Sequence, residues 1–195
     1  MKRIFDFLLS LFGLLILAPI LLILALLIKL DSKGPVFYRQ VRVGKNNEDF
    51  KIFKFRTMHV NADKLGLLTV GDRDPRVTNI GVFLRKYKLD ELPQLINVLI
   101  GNMSFVGPRP EVRKYVNLYS TEDMEILNVK PGITDYASIA YRDEAEIIRK
   151  ATDPEKAYIE DIMPEKIKLN KVYINNYGIL TDIKIIFKTF ASILS

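Results

Sequence analysis

The chain has 195 residues and a formal net charge of +6, with no cysteine and one histidine, His59. The lack of cysteine excludes disulfides, thiolate catalysis and cysteine-based zinc sites. A single histidine excludes a multi-histidine metal site, so the acid, base and nucleophile roles fall mainly to aspartate and glutamate. A basic surface beside an apolar segment favours lipid headgroups and phosphorylated substrates as partners, with no nucleic acid.

The N-terminal segment from Phe7 to Ile28 carries no charged side chain, and it is long enough to cross a bilayer as one helix. Basic residues flank it on both sides, among them Lys2 and Lys29. Since positive charge marks the cytoplasmic side, this pattern fits a single crossing poorly. Pro19 removes a helix hydrogen bond near the middle and favours a bend there. The residues alone leave a spanning helix and a re-entrant helix as open alternatives.

The remaining pattern predicts a mostly α-helical fold with one β-hairpin. After the Gly34-Pro35 break, the hairpin strands are predicted at Val36–Val43 and Phe50–Phe55. No other segment carries a clear strand pattern. We predict a surface loop over 61–77 and helices over 80–86, 89–99, 111–119, 121–127, from Pro154 and from Pro164 towards Tyr177.

The C-terminal segment carries an apolar stripe with helical spacing. The members of this stripe are Ile179, Ile183, Ile186, Phe187, Phe190 and Ile193. Such a helix can lie on a membrane surface, with lysines reaching the headgroups, or it can pack on the domain core. The sequence leaves both interpretations open.

Two adjacent carboxylates, Asp90 and Glu91, lie inside the apolar stretch Leu89–Leu95. Neighbouring side chains on a helix diverge by about 100°, so the pair can serve one centre only with separate tasks. Mg²⁺ is commonly shared between one or two carboxylates and substrate phosphates. An aspartate can also attack phosphorus directly. The alternative is a solvated acidic pair at the start of a helix.

Arg109 lies between Pro108 and Pro110, which fix the local backbone. Arginine can bind a phosphate through two parallel hydrogen bonds, so this turn is a candidate phosphate clamp; the alternative is a plain surface turn. Asp182 is an isolated acid in an apolar helix, which indicates a specific partner or a capping role. The further cationic candidates for an anion pocket are Lys54, Arg56, Arg85 and Arg142.

These motifs resemble the bacterial sugar transferase family, the monotopic phosphoglycosyl transferases, in its small form with little beyond the catalytic domain. The resemblance runs from Lys2 to about Lys188. The blocks that carry it include Asp31-Ser32-Lys33-Gly34-Pro35-Val36-Phe37, Lys54-Phe55-Arg56-Thr57-Met58, Leu89-Asp90-Glu91-Leu92-Pro93-Gln94-Leu95, Met103-Ser104-Phe105-Val106-Gly107-Pro108-Arg109-Pro110 and Lys130-Pro131-Gly132-Ile133-Thr134.

The resemblance implies an enzyme of polysaccharide or glycoconjugate assembly. Asp90 matches the family's nucleophile, which attacks a UDP-sugar, releases UMP and passes the sugar phosphate to polyprenyl (undecaprenyl) phosphate. Glu91 matches the acid that binds Mg²⁺, and Arg109 matches the arginine of the phosphate site. Lys54, Arg142 and Asp182 align with other polar positions of the family's site.

The resemblance also implies a division of the chain and a location. Residues 1–30 would form a re-entrant membrane helix with its bend at Ala18 and Pro19, and residues 31–195 a catalytic domain on the cytoplasmic face of the inner membrane. Many members have Ser-Pro at the bend, where this chain has Ala18-Pro19. Two other readings stay open: a non-catalytic membrane-anchored binding module, and a nucleotide-sugar hydrolase that uses water as acceptor. The sequence does not specify the sugar or the oligomeric state.

Overall fold

A computed structural model describes residues 1–62 and 74–194 of the chain. The strands are β1 (Phe37–Val43), β2 (Asp49–Phe55), β3 (Ser104–Val106) and β4 (Gly132–Thr134). The α-helices are α1 (Lys2–Asp31), α2 (Asn79–Lys86), α3 (Gln94–Ile100), α4 (Arg113–Val116), α5 (Tyr136–Ala140), α6 (Glu144–Lys150), α7 (Pro154–Ala157), α8 (Met163–Asn175) and α9 (Ile179–Leu194). Short 3₁₀ turns occupy Lys45–Asn47, Leu89–Glu91 and Asp123–Asn128, and a π-helical turn, Tyr158–Ile162, joins α7 to α8.

The predicted mostly α-helical fold with an antiparallel hairpin is confirmed, with Phe37 paired to Phe55 and Val43 to Asp49. The structure adds a second, parallel pair of strands, β3 with β4, which no strand pattern in the sequence indicated. The helix predicted over 89–99 is divided into a 3₁₀ turn and α3, on either side of Pro93, which has no N–H to donate. The helix predicted over 111–119 shortens to α4. Residues 63–73 of the predicted loop lie outside the described residues.

Helix α1 carries the whole apolar segment as one continuous helix of 30 residues, with Pro19 inside it. By length and composition it is able to cross a membrane. Most of its large apolar side chains are exposed, whereas Leu24 and Ile28 are buried against Phe55 and Leu84. The helix therefore combines an unpartnered apolar surface with a face that packs on the rest of the protein.

Both ends of α1 are held by polar contacts to the body. Near its start, the Arg3 guanidinium donates to the carbonyl oxygens of Val98 at 2.6 Å and Leu99 at 2.7 Å, at the end of α3. At its last residue, the Asp31 carboxylate accepts a hydrogen bond from the backbone nitrogen of Ile80, 3.1 Å away at the start of α2. The body thus runs alongside the helix from one end to the other.

A buried polar cluster also fixes the start of α1 to β3 and α9. The Lys2 ammonium forms an ion pair with Asp182 and donates to the carbonyl oxygen of Val106 at 3.1 Å. The Tyr173 hydroxyl lies 2.8 Å from the Asp182 carboxylate and 3.1 Å from the same carbonyl oxygen. Each buried polar group has a partner, which is the condition under which burial of a charge is tolerated. Val106 is the last residue of β3, so this cluster holds the strand that leads into the Pro-Arg-Pro turn.

Candidate active site

The two adjacent carboxylates lie in the 3₁₀ turn Leu89–Glu91, between α2 and α3. The turn follows Lys88, whose φ of 55° places it in the left-handed region and redirects the chain after α2. Asp90 is buried, with 8% of its surface exposed. The local geometry of the turn, and not a regular helix, therefore sets where the two side chains lie.

Glu91 is the centre of a charged cluster. Its carboxylate accepts a hydrogen bond from the Lys54 ammonium at 2.9 Å and one from Arg109 Nη1 at 3.0 Å, and it also contacts Arg109 Nη2. Burial alone would raise the pKa of Glu91, but the charges and hydrogen bonds of Arg109 and Lys54 outweigh it and hold that pKa well below its ordinary value. Glu91 is therefore ionised and joins the β2 lysine to the Pro-Arg-Pro arginine.

Asp90 has the opposite character. Among the residues that the structure describes, its carboxylate makes no hydrogen bond and no ion pair. Burial and the neighbouring Glu91 carboxylate raise the pKa of Asp90, while Lys54, Arg85 and Arg109 partly oppose that rise. A buried carboxylate without a dedicated partner is costly to stability, so its retention beside three cations is typical of a functional group.

The Pro-Arg-Pro turn is held rigidly by its own backbone. The carbonyl oxygen of Pro108 accepts from the Gly132 nitrogen at 3.0 Å, and the Arg109 nitrogen donates to the Asp135 carboxylate at 3.0 Å. The carbonyl oxygen of Pro110 accepts from Arg42 Nη1 at 3.0 Å. Three successive residues are thus fixed, and the Arg109 side chain extends from this mount to Glu91.

Two glycines allow the turn to lie against β4. A Cβ added at Gly107 would lie 2.3 Å from the carbonyl oxygen of Lys130, and one added at Gly132 would lie 2.1 Å from the nitrogen of Gly107. Backbone packs directly on backbone here, which is possible only without side chains. The close approach of these segments brings Asp135, just after β4, within reach of Arg109.

Sequence reasoning missed two positioning residues, Asp135 and Arg42. Asp135 caps α5 by accepting from the Ser138 nitrogen at 2.6 Å, besides holding the Arg109 backbone. The signal that could have shown it is the residue type, because aspartate is a preferred residue at the N-cap of a helix. Arg42 also pairs with Glu111 at 3.2 Å, and nothing in the local sequence of β1 indicated that contact.

The structure does not bring Arg56, a predicted cation of the phosphate pocket, to Glu91 with Lys54 and Arg109. The Arg56 guanidinium is buried and donates to the carbonyl oxygens of Lys33 at 2.8 Å, Ser32 at 2.6 Å and Ile28 at 3.2 Å. These are backbone acceptors at the end of α1, which a cation at a helix C-terminus stabilises. Alternation along the chain directs Lys54 and Arg56 to the same face of the hairpin. The Arg56 side chain nevertheless binds the carbonyl oxygens at the end of α1, and not Glu91.

The three remaining predicted site residues, Arg85, Asp182 and Arg142, have partners other than Glu91. Arg85 lies close enough for its charge to lower the pKa of Asp90, and its Nε donates to Thr57 Oγ1 at 3.1 Å. Asp182 is 1% exposed, and its carboxylate binds Lys2 and Tyr173, so the structure places it in the buried cluster beside β3 and not with the carboxylate pair. Arg142 is exposed, and its guanidinium donates to the carbonyl oxygen of Ser192 in α9.

The carboxylate pair can supply only some of the ligands that a divalent cation needs, so water and substrate would have to supply the rest. Within residues 1–62 and 74–194, no cluster contains three or more aspartate, glutamate, histidine or cysteine side chains that could hold a metal. Mg²⁺ does not need such a cage, because it usually keeps waters and takes one or two carboxylates together with substrate phosphates. Asp90 has free carboxylate oxygens next to Glu91, so these two residues suit that mode.

Comparisons with known proteins identify the family of the chain. A family model described as bacterial sugar transferase matches residues 1–195. The chain is 42% identical over 203 residues to the exopolysaccharide production protein PSS of Rhizobium leguminosarum bv. phaseoli, with 100% of this chain and 96% of that protein covered.

Two further relatives are longer than this chain. It is 38% identical over 199 residues to the UDP-N-acetylgalactosamine-undecaprenyl-phosphate N-acetylgalactosaminephosphotransferase of Aeromonas hydrophila, covering 100% of this chain and 44% of that protein. It is also 38% identical over 197 residues to the UDP-glucose:undecaprenyl-phosphate glucose-1-phosphate transferase of Escherichia coli (strain K12), covering 97% of this chain and 39% of that protein. The chain thus spans less than half the length of these two relatives. The match of the family model along the whole chain shows that the chain belongs to the bacterial sugar transferase family.

Proposed function

We propose that the protein transfers a sugar-1-phosphate from a UDP-sugar to undecaprenyl phosphate or a similar polyprenyl phosphate, releasing UMP. The observation that carries this proposal is the contrast between the two adjacent carboxylates. Asp90 is buried and unpaired among the described residues, whereas Glu91 is bound by Lys54 and Arg109. The names of the relatives from Aeromonas hydrophila and Escherichia coli support a reaction of this class.

In the first half-reaction, an Asp90 oxygen attacks the sugar-linked phosphorus of the UDP-sugar. The bond from this phosphorus to the bridging oxygen breaks, UMP leaves with that oxygen, and an aspartyl phosphosugar remains. The Asp90 carboxylate is free and poorly solvated, so it loses little hydration when it reaches the phosphorus. It is therefore suited to this attack.

In the second half-reaction, a phosphate oxygen of the polyprenyl phosphate attacks the same phosphorus. The bond to Asp90 breaks, the carboxylate is regenerated and polyprenyl diphospho-sugar is formed. Because both displacements occur at phosphorus, the bond between the sugar and its phosphate stays intact. No water is consumed, which separates this route from the hydrolase alternative.

The cations near Asp90 have distinct tasks. Arg109 uses two nitrogens on Glu91, and its remaining N–H donors are available to a phosphate, since a guanidinium carries five. Lys54, on the other side of Glu91, adds a second positive charge where negative charge increases in the transition state. Glu91 holds both cations in place. Mg²⁺ bound by Asp90 and Glu91 would supply further neutralisation of the diphosphate.

The docking of α1 supports a monotopic arrangement on the membrane. A 30-residue helix is about 45 Å long, which exceeds the bilayer hydrocarbon thickness of about 30 Å. Its start is held at α3 by Arg3 and its last residue, Asp31, at α2. If α1 crossed the bilayer, the polar body that runs beside it would have to enter the membrane as well. We therefore propose that both ends lie on the cytoplasmic side and that the exposed apolar side chains of α1 face lipid.

This topology can be tested by cysteine labelling, because the chain has no native cysteine. Single variants Ile4→Cys at the start of α1, Lys33→Cys after its end and Lys150→Cys in the body would be treated with a membrane-impermeant maleimide. A monotopic protein reacts at all three positions in inside-out vesicles and at none in intact spheroplasts. Labelling of Ile4→Cys from the outer side would show a spanning helix.

The reaction itself is tested by incubating the protein in detergent with UDP-sugars, Mg²⁺ and undecaprenyl phosphate. We expect UMP release that requires the lipid phosphate and that is lost in Asp90→Asn. Asp161→Asn, an exposed acid on the π-helical turn, is the matched control and should keep full activity. Release of UDP, or of UMP at equal rates without the lipid, would contradict the proposal.

A further inference from the structure

An open cavity of about 460 Å³ lies on the face of the hairpin opposite to Lys54. Its lining includes Arg39 and Lys51 on the strands, Lys45 in the turn, and Ile100 and Lys130 beyond them. We call it the basic cavity and define its cations as Arg39, Lys45, Lys51 and Lys130. Strand alternation separates it from the charged cluster around Glu91, because Arg39, Lys51 and Phe53 point away from the face that carries Lys54.

The four cations of the basic cavity outnumber the two acids that line it, Glu48 and Asp49. None of its four cations forms an ion pair with another residue in the part of the chain that the structure describes. Of the two acids that line it, Glu48 and Asp49, the second is bound by Arg113 at 2.5 Å. Burial, followed by the nearby cations Arg3 and Lys45, lowers the pKa of Lys130, against an opposing effect of Asp6.

The cavity opens beside the start of the apolar helix α1. Gly101, on its rim, lies so near Arg3 that an added Cβ would be 3.1 Å from the guanidinium. The hairpin face that lines the cavity is also the face from which Phe55 packs on Ile28 of α1. Phe37, on that same face, is 40% exposed. The cations therefore lie among exposed apolar groups next to the helix that is suited to enter lipid.

We propose that the basic cavity binds the phosphate headgroup of an anionic membrane phospholipid, at a site distinct from the carboxylate pair. Unpaired lysines at a membrane surface attract anionic lipids by about 1 kcal/mol each. The neighbouring aromatic and aliphatic side chains suit the glycerol and upper acyl region. A headgroup bound here anchors the hairpin to the bilayer independently of substrate.

The test counts lipids bound to the full-length protein in detergent by native mass spectrometry. Phosphatidylglycerol and phosphatidylcholine are compared on the wild type, on the triple variant Lys45→Gln, Lys51→Gln and Lys130→Gln, and on the matching lysine-to-arginine triple. A control triple, Lys150→Gln, Lys156→Gln and Lys168→Gln, removes the same charge from exposed positions elsewhere. No turnover is needed, so the result does not depend on the proposed reaction.

We expect the wild type to prefer phosphatidylglycerol, and the cavity glutamine triple to bind it at least about tenfold more weakly. The arginine triple and the control triple should keep the preference. Unchanged binding by the cavity glutamine triple would overturn the proposal. Displacement of phosphatidylglycerol by UMP would also overturn it, because the site would then take a soluble phosphate.

Discussion

The Glu91 carboxylate lies between the Lys54 ammonium, 2.9 Å away, and the two terminal nitrogens of the Arg109 guanidinium. This contact joins strand β2 to the Pro-Arg-Pro turn across the carboxylate pair. It leaves the adjacent Asp90 as the carboxylate with free oxygens. Because Lys54 and Arg109 bind Glu91 and not Asp90, the two neighbouring acids have different environments and can take different tasks.

We predict that removing the charge of Asp90 and removing the charge of Glu91 have different effects on stability. Asp90→Asn replaces a buried, unpaired carboxylate, so the thermal unfolding midpoint should stay equal or rise, while activity falls by at least about a thousandfold. Glu91→Gln leaves Lys54 and Arg109 without their counterion, so it should destabilise the protein by about 2–4 kcal/mol and also reduce activity. Unfolding and UMP release would be measured on both variants. Equal destabilisation by the two changes would contradict the assigned roles.

The rate should depend on pH through Asp90 and Lys54. Burial, with Glu91, raises the pKa of Asp90, and the attacking form is ionised, so kcat/KM should fall with decreasing pH at values above the ordinary 3.8. Burial lowers the pKa of Lys54 despite Glu91, so the loss of its charge should produce a second fall below the ordinary 10.5. A pH–rate profile of UMP release measures both.

The control for the alkaline limb is Lys54→Arg, which keeps its charge at all accessible pH values. Its activity should be lower, because arginine cannot reproduce the lysine geometry, but its alkaline fall should be displaced to higher pH. An alkaline limb that is unchanged in Lys54→Arg would assign that titration to another group.

Packing of the Pro-Arg-Pro turn on β4 should tolerate no side chain. Gly132→Ala would force a Cβ against the nitrogen of Gly107, so we expect a loss of about 2 kcal/mol or more in stability and a large loss of activity. Gly178→Ala is the matched control, because nothing lies within 4 Å of the Cβ that it adds. Thermal unfolding and UMP release on both variants check this. A near-neutral Gly132→Ala would mean that the two segments do not pack as described.

Arg56 should contribute to stability and not to donor binding. Arg56→Gln removes the hydrogen bonds to the last carbonyls of α1, so we expect a loss of about 1–3 kcal/mol in stability with a KM for the UDP-sugar that is unchanged within about twofold. Arg149→Gln, an exposed arginine on α6, is the control and should change neither quantity. A raised KM with normal stability would restore Arg56 to the phosphate pocket.

Local patterns predicted much of the fold. The hairpin, α2, α8 and α9 follow from periodicity, turn residues and caps, such as Thr78, whose side chain accepts from the Gly81 nitrogen. The pair β3–β4 could not be predicted, because its strands are three residues long and are separated by a chain segment with no strand pattern. Its parallel register depends on the close packing of Gly107 and Gly132, which is a tertiary contact.

The sequence predicted which residues form the site better than it predicted their contacts with one another. Residue types indicated Asp90, Glu91, Arg109 and Lys54 as candidates, but not that Glu91 would bind both cations. Arg56 was assigned to the same pocket on charge alone, and charge does not show which acceptors a side chain meets first. Backbone carbonyls at the end of α1 are acceptors that no sequence pattern displays.

The most direct test of the proposed transfer through Asp90 is to trap the aspartyl phosphosugar. The protein would be mixed with a UDP-sugar that supports UMP release, with Mg²⁺ and without acceptor lipid, then quenched in acid and examined by intact-protein and peptide mass spectrometry. We predict one added sugar phosphate on the peptide that contains Asp90. This adduct should be lost on addition of undecaprenyl phosphate, and it should be absent in Asp90→Asn. Stoichiometric transfer to the lipid from an enzyme that never carries the adduct would contradict the proposal, because the sugar phosphate would then pass directly from donor to acceptor.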